Sequence, residues 1–381
     1  MTGRIVAVFS GGGTGGHLYP ALALASALKE RRPDVRPFFV GAERGIEARI
    51  LPERGLEHLL VPVEGARRGA ILANVRVLRG LARALALVAE AFRKLRPTLV
   101  VVTGGYAGGP AGLMAVLTRT RLVLQEQNSV PGITTRVLSP FAREVHVAFP
   151  EAIERLPRRS RRRARVSGNP VAPPDRVDRT DAAAAFDLDP DGTVALVVGG
   201  SQGAKAINDA VLQAVGAVTH GDAHRPEGLE LLWSTGPAHI DTIREALARM
   251  GDPPWVRAVG YISEMPVALS LADLAVSRAG AMATSEFLAW GLPSILIPLP
   301  SAAADHQGQN ARVLARAGAA RHLPEEGLGG EDLWKEVVWL VTNVEERERM
   351  AEAARDRGHP DAAWEIARAL DGLLPPAERS P

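Results

Sequence analysis

The chain has 381 residues, 46% of them hydrophobic, which is enough for two domain-sized cores, since domains run to about 100 to 200 residues. Lys plus Arg and Asp plus Glu nearly cancel, 45 against 43, so no whole-molecule basic field exists and nucleic acid is excluded as the main partner. There is no Cys, which excludes disulfides, thiolate nucleophiles and zinc–thiolate sites and is compatible with the cytosol.

The apolar run within Met1 to Ser10 is too short for a signal peptide and leads directly into a glycine loop. Arg4 to Phe9, Arg36 to Val40, His58 to Val61, Leu99 to Val102 and Leu122 to Leu124 are short β-branched runs. They alternate with Ala/Leu-rich helical stretches, the pattern of a parallel sheet with right-handed crossovers. A charged, proline-bounded segment follows, from Pro157 through Arg158 to Arg165 and on to Pro174, and the domain boundary is expected there. The pattern then restarts, with strands over Thr193 to Val198, Leu229 to Trp233, Ala272 to Val276 and Ser294 to Ile297, and a helix over Ala204 to Val218. Glu331 to Leu374 reads as helices, the last packing back across the first domain. Arg83 interrupts the apolar run after Leu72, and Gly291, Pro293 and Pro298 interrupt the last one. No run therefore reaches the roughly 18 to 20 residues that span a bilayer. The expected fold class is α/β: two Rossmann-like doubly wound domains over 1–165 and 166–358 with an interdomain cleft, and a stretch 359–381 returning to the first.

Each half opens with a strand running into a glycine turn, and a second small-residue turn follows later. Gly11-Gly12-Gly13-Thr14-Gly15-Gly16 fits G-x-G-x-x-G between a strand and the helix Leu18 to Glu30, where backbone N–H groups and the helix dipole receive an anion. The same glycines also serve a plain strand-to-helix turn. A dinucleotide site further requires a ribose-binding acid, and Glu43, the nearest candidate, lies past the usual spacing of about 20 residues. His17, at the helix start, is a candidate general base or phosphate contact, or a solvent-facing terminal residue. Gly199-Gly200-Ser201-Gln202-Gly203 also matches the G-x-S-x-G elbow of serine hydrolases, with Asp273 or Asp305 and His322 as possible partners. It stands at the first strand of a new half, where a hydrolase would have several strands before it. His220 and His224 are spaced like a zinc pair, but Gly221 and Pro226 indicate a loop. Asp187, Asp189 and Asp191 read as turn residues.

Taken together the turns resemble one family, the UDP-N-acetylglucosamine transferases of bacterial cell-wall synthesis called MurG, which convert lipid I to lipid II. The resemblance is carried by Gly12 to His17, Gly104-Gly105-Tyr106 with Gly109-Pro110, Glu126-Gln127-Asn128, Gly168 to Val171, Gly199 to Ala204, Ser277 to Ala281 through Ser285-Glu286, and His306-Gln307 with Asn310-Ala311. It implies GT-B architecture, with UDP-N-acetylglucosamine held mainly by the C-terminal half and undecaprenyl-linked lipid I by the N-terminal half. By resemblance Glu286 grips the ribose hydroxyls, accepting from two at once. Ile262 offers its backbone to uracil, Ser201 contacts a donor phosphate, and Ala281, Met282, Ala283, Thr284 and Ser285, opening a helix, neutralise the departing UDP. His306 and Gln307 address the sugar, while Thr14, Gly15, Gly16 and Asn128 approach the donor from the other half. Gly13, His17, Gly104, Gly105, Tyr106 and Glu126 form the acceptor side. The implied chemistry is inverting attack by the acceptor's 4-hydroxyl, with His17 as candidate base. Helix N-termini supply the anion stabilisation, so neither a cofactor nor a protein-bound metal is expected. Two positions depart from the family pattern: Ala172 stands where Arg is common, and Gln125 replaces a usual His.

A lipid-linked acceptor places the protein on the cytoplasmic face of the cell membrane as a peripheral protein, with an anionic lipid surface as partner and protein partners undefined. Ile71, Leu72, Val75 and Leu78 recur at helical spacing with Arg67, Arg68, Arg76, Arg79 and Arg83 nearby, a candidate docking face or an ordinary core stripe. The arginines from Arg158 to Arg165 add basic charge or form a solvated linker. An epimerase of the same fold acting on UDP-N-acetylglucosamine is the main alternative, followed by a serine hydrolase and a dinucleotide oxidoreductase.

Overall fold

The computed structural model describes residues 5–65 and 71–376, with backbone only for 71–78. The chain divides into two compact units, residues 1–172 with 361–381 and residues 173–360. Among the described residues, the first unit contains seven parallel strands: β1 (Ile5–Gly11), β2 (Val35–Ala42), β3 (His58–Val61), β4 (Leu99–Gly104), β5 (Arg121–Glu126), β6 (Glu144–Val147) and β7 (Ala164–Val166). Their order across the sheet is β3-β2-β1-β4-β5-β6-β7. Continuous apolar runs are what such a sheet requires, because helices cover both faces. Val6 and Val8 of β1 enter one core with Val100 and Val102 of β4, while Ala7 and Phe9 enter the opposite core with Leu99 and Val101.

The second unit repeats the plan with β8 (Thr193–Val198), β9 (Leu229–Ser234), β10 (Val256–Val259), β11 (Leu274–Ser277), β12 (Ser294–Leu296) and β13 (Ala320–His322), ordered β10-β9-β8-β11-β12-β13. Again neighbours alternate: Ala195, Val197 and Trp233 pack on one side, Val194, Leu196 and Leu232 on the other. The Trp233 indole N–H is satisfied by Asn208 Oδ1 at 3.0 Å, which lets so large a side chain be fully buried. In both sheets the chain returns to pair with the free side of its first strand, leaving a crevice beyond the carboxyl ends of β1 and β4, and another beyond β8 and β11.

The boundary differs from the sequence expectation of 165/166. β7 pairs in parallel with β6 through Val147 and Val166, so the sheet runs past residue 165 and the first unit ends at Ala172. Nor are the arginines of this segment a solvated linker throughout. Arg161 donates to the Leu156 carbonyl at 3.0 Å, and Arg163 to that of Ala142 at 2.9 Å. The membrane-face side chains Ile71, Leu72, Val75, Arg76 and Leu78, with Arg67 and Arg68, lie outside the described residues. The backbone of Ile71–Leu95 is one helix, and Arg79 and Arg83 on it are exposed.

The C-terminal helix Ala362–Gly372 lies along the helix Gly15–Arg31. Ile366, Ala367 and Leu370 are fully buried there in the core of Phe9, Leu24 and Leu28. Arg32, only 7% exposed, anchors the join by donating to Asp371 at 2.7 Å, to Asp34 at 2.8 Å and to the Pro375 carbonyl at 3.1 Å. Burial alone would raise the Asp371 carboxyl, but the hydrogen bonds from Arg32 and Arg31 outweigh it and hold the group below the usual carboxylate range. A depressed folded-state value stabilises at pH above the unfolded one and is lost as pH falls through the folded one. Asp371→Asn is therefore expected to cost about 1–3 kcal/mol at neutral pH. Its deficit in Tm against wild type should narrow in acid below about pH 4. A deficit unchanged in acid would assign the effect to packing.

Candidate active site

In the first unit the glycine loop is held from below by a carboxylate that sequence reasoning passed over. Glu47, fully buried, accepts from Gly13 N at 2.9 Å and from Ala42 N at 2.8 Å. Side chains at Gly12, Gly41 or Gly45 would overlap it. The Gly13 amide is thereby occupied, so it is not the donor for an incoming anion. The positive end of Gly15–Arg31, capped by Thr14 without a side-chain hydrogen bond, remains for an incoming anion at Gly15 and Gly16. Glu43, the ribose-acid candidate, instead lines a cavity of about 280 Å³ with Arg44, Glu64, Arg79 and Arg83.

The second turn backs directly onto the first. Gly104 and Gly105 have φ of +97° and +71°, and a side chain at Gly105 would overlap the Gly12 carbonyl oxygen. The His17 ring rests on these two glycines, with Nδ1 at 3.0 Å from the Thr103 carbonyl and 2.8 Å from Gln127 Oε1. Tyr106 stands over Gly13; its burial, and then the Glu47 and Glu64 carboxylates, push the phenol above its ordinary value. Glu126 is buried and accepts from Asn128 N at 3.1 Å and Gly132 N at 3.0 Å. It closes its own turn rather than facing a ligand, and positions Asn128.

In the second unit the predicted donor residues all follow carboxyl ends of strands: Ser201 after β8, Ile262 after β10, Ala281 to Glu286 after β11, His306 and Gln307 after β12. Ser201 is exposed on the turn between β8 and the helix Lys205–His220, where Gly200 and Gly203 take φ of +91° and +76°. The Ile262 side chain is in the core, leaving only its backbone to face a ligand. The helix Ala281–Trp290 opens at Gly280 with no side-chain cap; Thr284 bonds back to the Gly280 carbonyl at 3.0 Å, and Ser285 is buried. Ala281, Met282 and Ala283 therefore carry the helix's leading amides. Gln307 Oε1 accepts from Leu299 N at 2.9 Å, which orients its NH₂ outward from that loop. Glu286 is half-buried, and takes no hydrogen-bond or ion-pair partner among the described residues. Burial pushes its carboxyl above the ordinary range.

The hydrolase constellation is not assembled. Asp273 accepts from Val194 N at 2.8 Å and pairs with Arg179 at 2.9 Å, at the amino edge of the sheet, whereas Ser201 is at the carboxyl edge. Asp305 pairs with Arg312. His146, Ser167 and Glu144 do touch, at 2.8 and 3.2 Å, but His146 and Ser167 are buried and present no nucleophile. The His220 and His224 pair does not form a metal site: His220 ends an exposed helix terminus, and His224 offers its carbonyl to Trp334.

A surface also missed in the sequence lies on the helices Gly108–Leu117 and Ile133–Leu138 and the turn after them. Leu117, Ile133, Val137 and Phe141 are 60 to 80% exposed, with Arg119, Arg136 and Arg143 exposed between them. Ile133, Val137 and Phe141 recur at four-residue spacing, a signal hidden because the helix Ile133–Leu138 is short.

Comparison with known proteins agrees with this geometry. Residues 7–147 match the glycosyltransferase family 28 N-terminal domain and residues 194–366 its C-terminal domain. A Salinibacter ruber protein described as UDP-N-acetylglucosamine--N-acetylmuramyl-(pentapeptide) pyrophosphoryl-undecaprenol N-acetylglucosamine transferase is 43% identical, with 94% of each chain covered. The crystal structure of Acinetobacter baumannii MurG aligns over 97% of this chain and 99% of its own, at 26% identity and a TM-score of 0.76. A Neisseria meningitidis UDP-GlcNAc 2-epimerase aligns over 97% and 99% with a TM-score of 0.65 at 13% identity, a likeness of fold alone. Two parallel-sheet α/β units of this kind are the GT-B glycosyltransferase fold. Both family 28 domains and near-full-length identity to a curated relative place this chain in the MurG family of glycosyltransferases.

Proposed function

We propose that the protein transfers N-acetylglucosamine from UDP-N-acetylglucosamine to the 4-hydroxyl of the muramyl sugar of lipid I, forming lipid II with inversion. The observation that carries this reading is Glu286, a half-buried carboxylate without a partner among the described residues, on a helix whose N-terminus has no side-chain cap. Such a group suits two ribose hydroxyls, and the leading amides of that helix, from Ala281 to Ala283, suit the diphosphate that leaves. Ser201, the Ile262 backbone, His306 and Gln307 complete the donor side, with Thr14 to Gly16 and Asn128 assigned to the donor from the first unit. The acceptor's diphosphate is assigned to the amides at Gly15 and Gly16, and its 4-hydroxyl to His17. The reading includes no protein-held metal, because helix N-termini provide the positive potential that departing UDP requires.

An epimerase would need the donor crevice but no second glycine turn against the first. Assayed with labelled donor and a lipid I analogue, the wild-type protein is expected to form a labelled disaccharide-lipid and His17→Ala to lose about 10²-fold or more in rate. Conversion of the UDP-sugar without acceptor would favour the epimerase. UDP-N-acetylglucosamine is expected to raise Tm and NAD(P) to leave it unchanged.

Glu286→Gln is expected to weaken donor binding about tenfold or more. Because burial raises the Glu286 carboxyl, donor affinity should fall with decreasing pH at values above the ordinary glutamate range of about 4.3. The sign for stability is opposite. The contribution of a group with a raised folded-state value is fully present below the unfolded value and is lost as pH rises through the folded one, so at neutral pH the ionised group is a burden. Glu286→Gln should raise Tm by roughly 1–3 °C. A variant that both binds poorly and melts lower would contradict this assignment.

No helix among the described residues is long and apolar enough to cross a membrane. We propose peripheral docking on an anionic bilayer through the helix Ile71–Leu95 together with Leu117, Ile133, Val137 and Phe141, with Arg119, Arg136 and Arg143 supplying charge. The exposed apolar area ringed by cations supports this. Co-sedimentation with phosphatidylglycerol vesicles at low salt should fall at least about tenfold in Ile133→Ser/Phe141→Ser. Binding unchanged in that variant would reject the surface.

A further inference from the structure

The two ring nitrogens of His17 are not equivalent, and their surroundings decide what each does. Nδ1 faces the Thr103 carbonyl at 3.0 Å and Gln127 Oε1 at 2.8 Å. A carbonyl oxygen only accepts, so Nδ1 carries a proton and donates it. The orientation of the Gln127 amide follows from its other neighbours. Its nitrogen faces the Thr103 carbonyl at 2.7 Å, the Gln125 carbonyl at 3.2 Å and Gln125 Oε1, all acceptors. Gln125 donates onward to Asn169 Oδ1 at 2.8 Å, and Asn169 donates back to the Gln127 carbonyl at 3.1 Å.

Gln125, Gln127 and Asn169 are at most 1% exposed, and none of them titrates. Turning the Gln127 amide over would set oxygen against oxygen where no water can intervene, and would leave buried acceptors without a donor. The polarity of the chain is therefore fixed at every link. With Nδ1–H held, the neutral ring offers only Nε2, which has no partner among the described residues. That nitrogen carries a lone pair. It accepts from a hydroxyl and is repelled by a phosphate oxygen.

We infer that Gln127 is a positioning residue for His17: through Gln125 and Asn169 it holds the Nδ1–H tautomer, so that Nε2 takes the acceptor hydroxyl proton rather than binding the diphosphate. This rests on the transferase reading above. As the acceptor oxygen bonds to the anomeric carbon, the bond from that carbon to the UDP oxygen breaks and its electron pair leaves with UDP. The hydroxyl proton moves to Nε2, and the resulting imidazolium keeps its Nδ1–H on Gln127 and Thr103.

Histidine ¹⁵N labelling of the full chain, with His17→Asn for assignment, reads the tautomer from two-bond ¹⁵N–¹H couplings without reference to activity. The neutral wild-type ring is expected as Nδ1–H; an Nε2–H ring would overturn the inference. Gln127→Glu then sets a carboxylate against Nδ1–H and favours the imidazolium. Its kcat at about pH 7 should drop about threefold or more, the acid limb of the kcat–pH profile should rise by about a unit or more, and KM for a lipid I analogue should change little. A lower acceptor KM with kcat retained would mean that His17 holds the diphosphate, and would equally overturn it. Gln127→Met, which removes hydrogen bonds without adding charge, should lower Tm yet leave the acid limb in place; a limb displaced as in Gln127→Glu would refute the charge argument. A wild-type chain that transfers nothing sinks the transferase reading and the proton transfer with it. A transferring chain with an Nε2–H ring sinks the inference alone.

Discussion

The first unit's site depends on a close approach that only bare backbone makes: the Gly12 carbonyl oxygen stands where a side chain of residue 105 would be. Parallel strands β1 and β4 are adjacent because the chain returns to the free side of β1, and their outgoing turns must then share one narrow space. Cβ atoms would force the turns apart. Without them, the His17 ring settles on Gly104 and Gly105, its Nδ1 meets the Thr103 carbonyl, and Tyr106 covers Gly13. Glu47 completes the arrangement from beneath by holding the Gly13 amide.

The second unit solves the same topological problem differently. Its turn at Gly199 to Gly203 packs against Thr235 and Gly236, with Gly203 requiring the absence of a side chain beside the Thr235 carbonyl. Across the crevice, Arg278 ties the β11 turn to the Ile297 and Pro298 carbonyls and to Glu325. Glu286, one helical turn further on, is left without such ties. A rigid frame around a carboxylate without a partner among the described residues is the arrangement expected where stability yields to binding.

Glycine turns were legible in the sequence because strand ends, small residues and helix starts are local signals, and the central strands showed as apolar runs, although their order across the sheet did not. What escaped were interactions across sequence distance. Glu47 lies thirty-four residues from the amide it holds, and nothing near it distinguishes it from Glu43, which turned out to face a cavity. Glu126 reads as a ligand-facing acid after a strand; only the closed turn reveals that Asn128 and Gly132 use both its oxygens. β7 and β13, three residues each, carry too little pattern to be seen, and missing β7 moved the expected boundary into the first unit. The apolar surface of Ile133, Val137 and Phe141 was hidden for the same reason, shortness.

Residues 173–360 form a unit inserted within another, since 361–381 belong with 1–172. Synthesis from the N-terminus therefore leaves the first unit unfinished. The face of Leu24 and Leu28 waits for Ile366 and Leu370, which emerge only after the whole inserted unit. At about 5–20 residues per second that interval is roughly 10–40 s. During it the second unit has everything needed to fold alone, while the first carries an open apolar seam exposed to holdase chaperones or to a neighbouring nascent chain. Docking of the helix Ala362–Gly372 is thus the step that closes this seam.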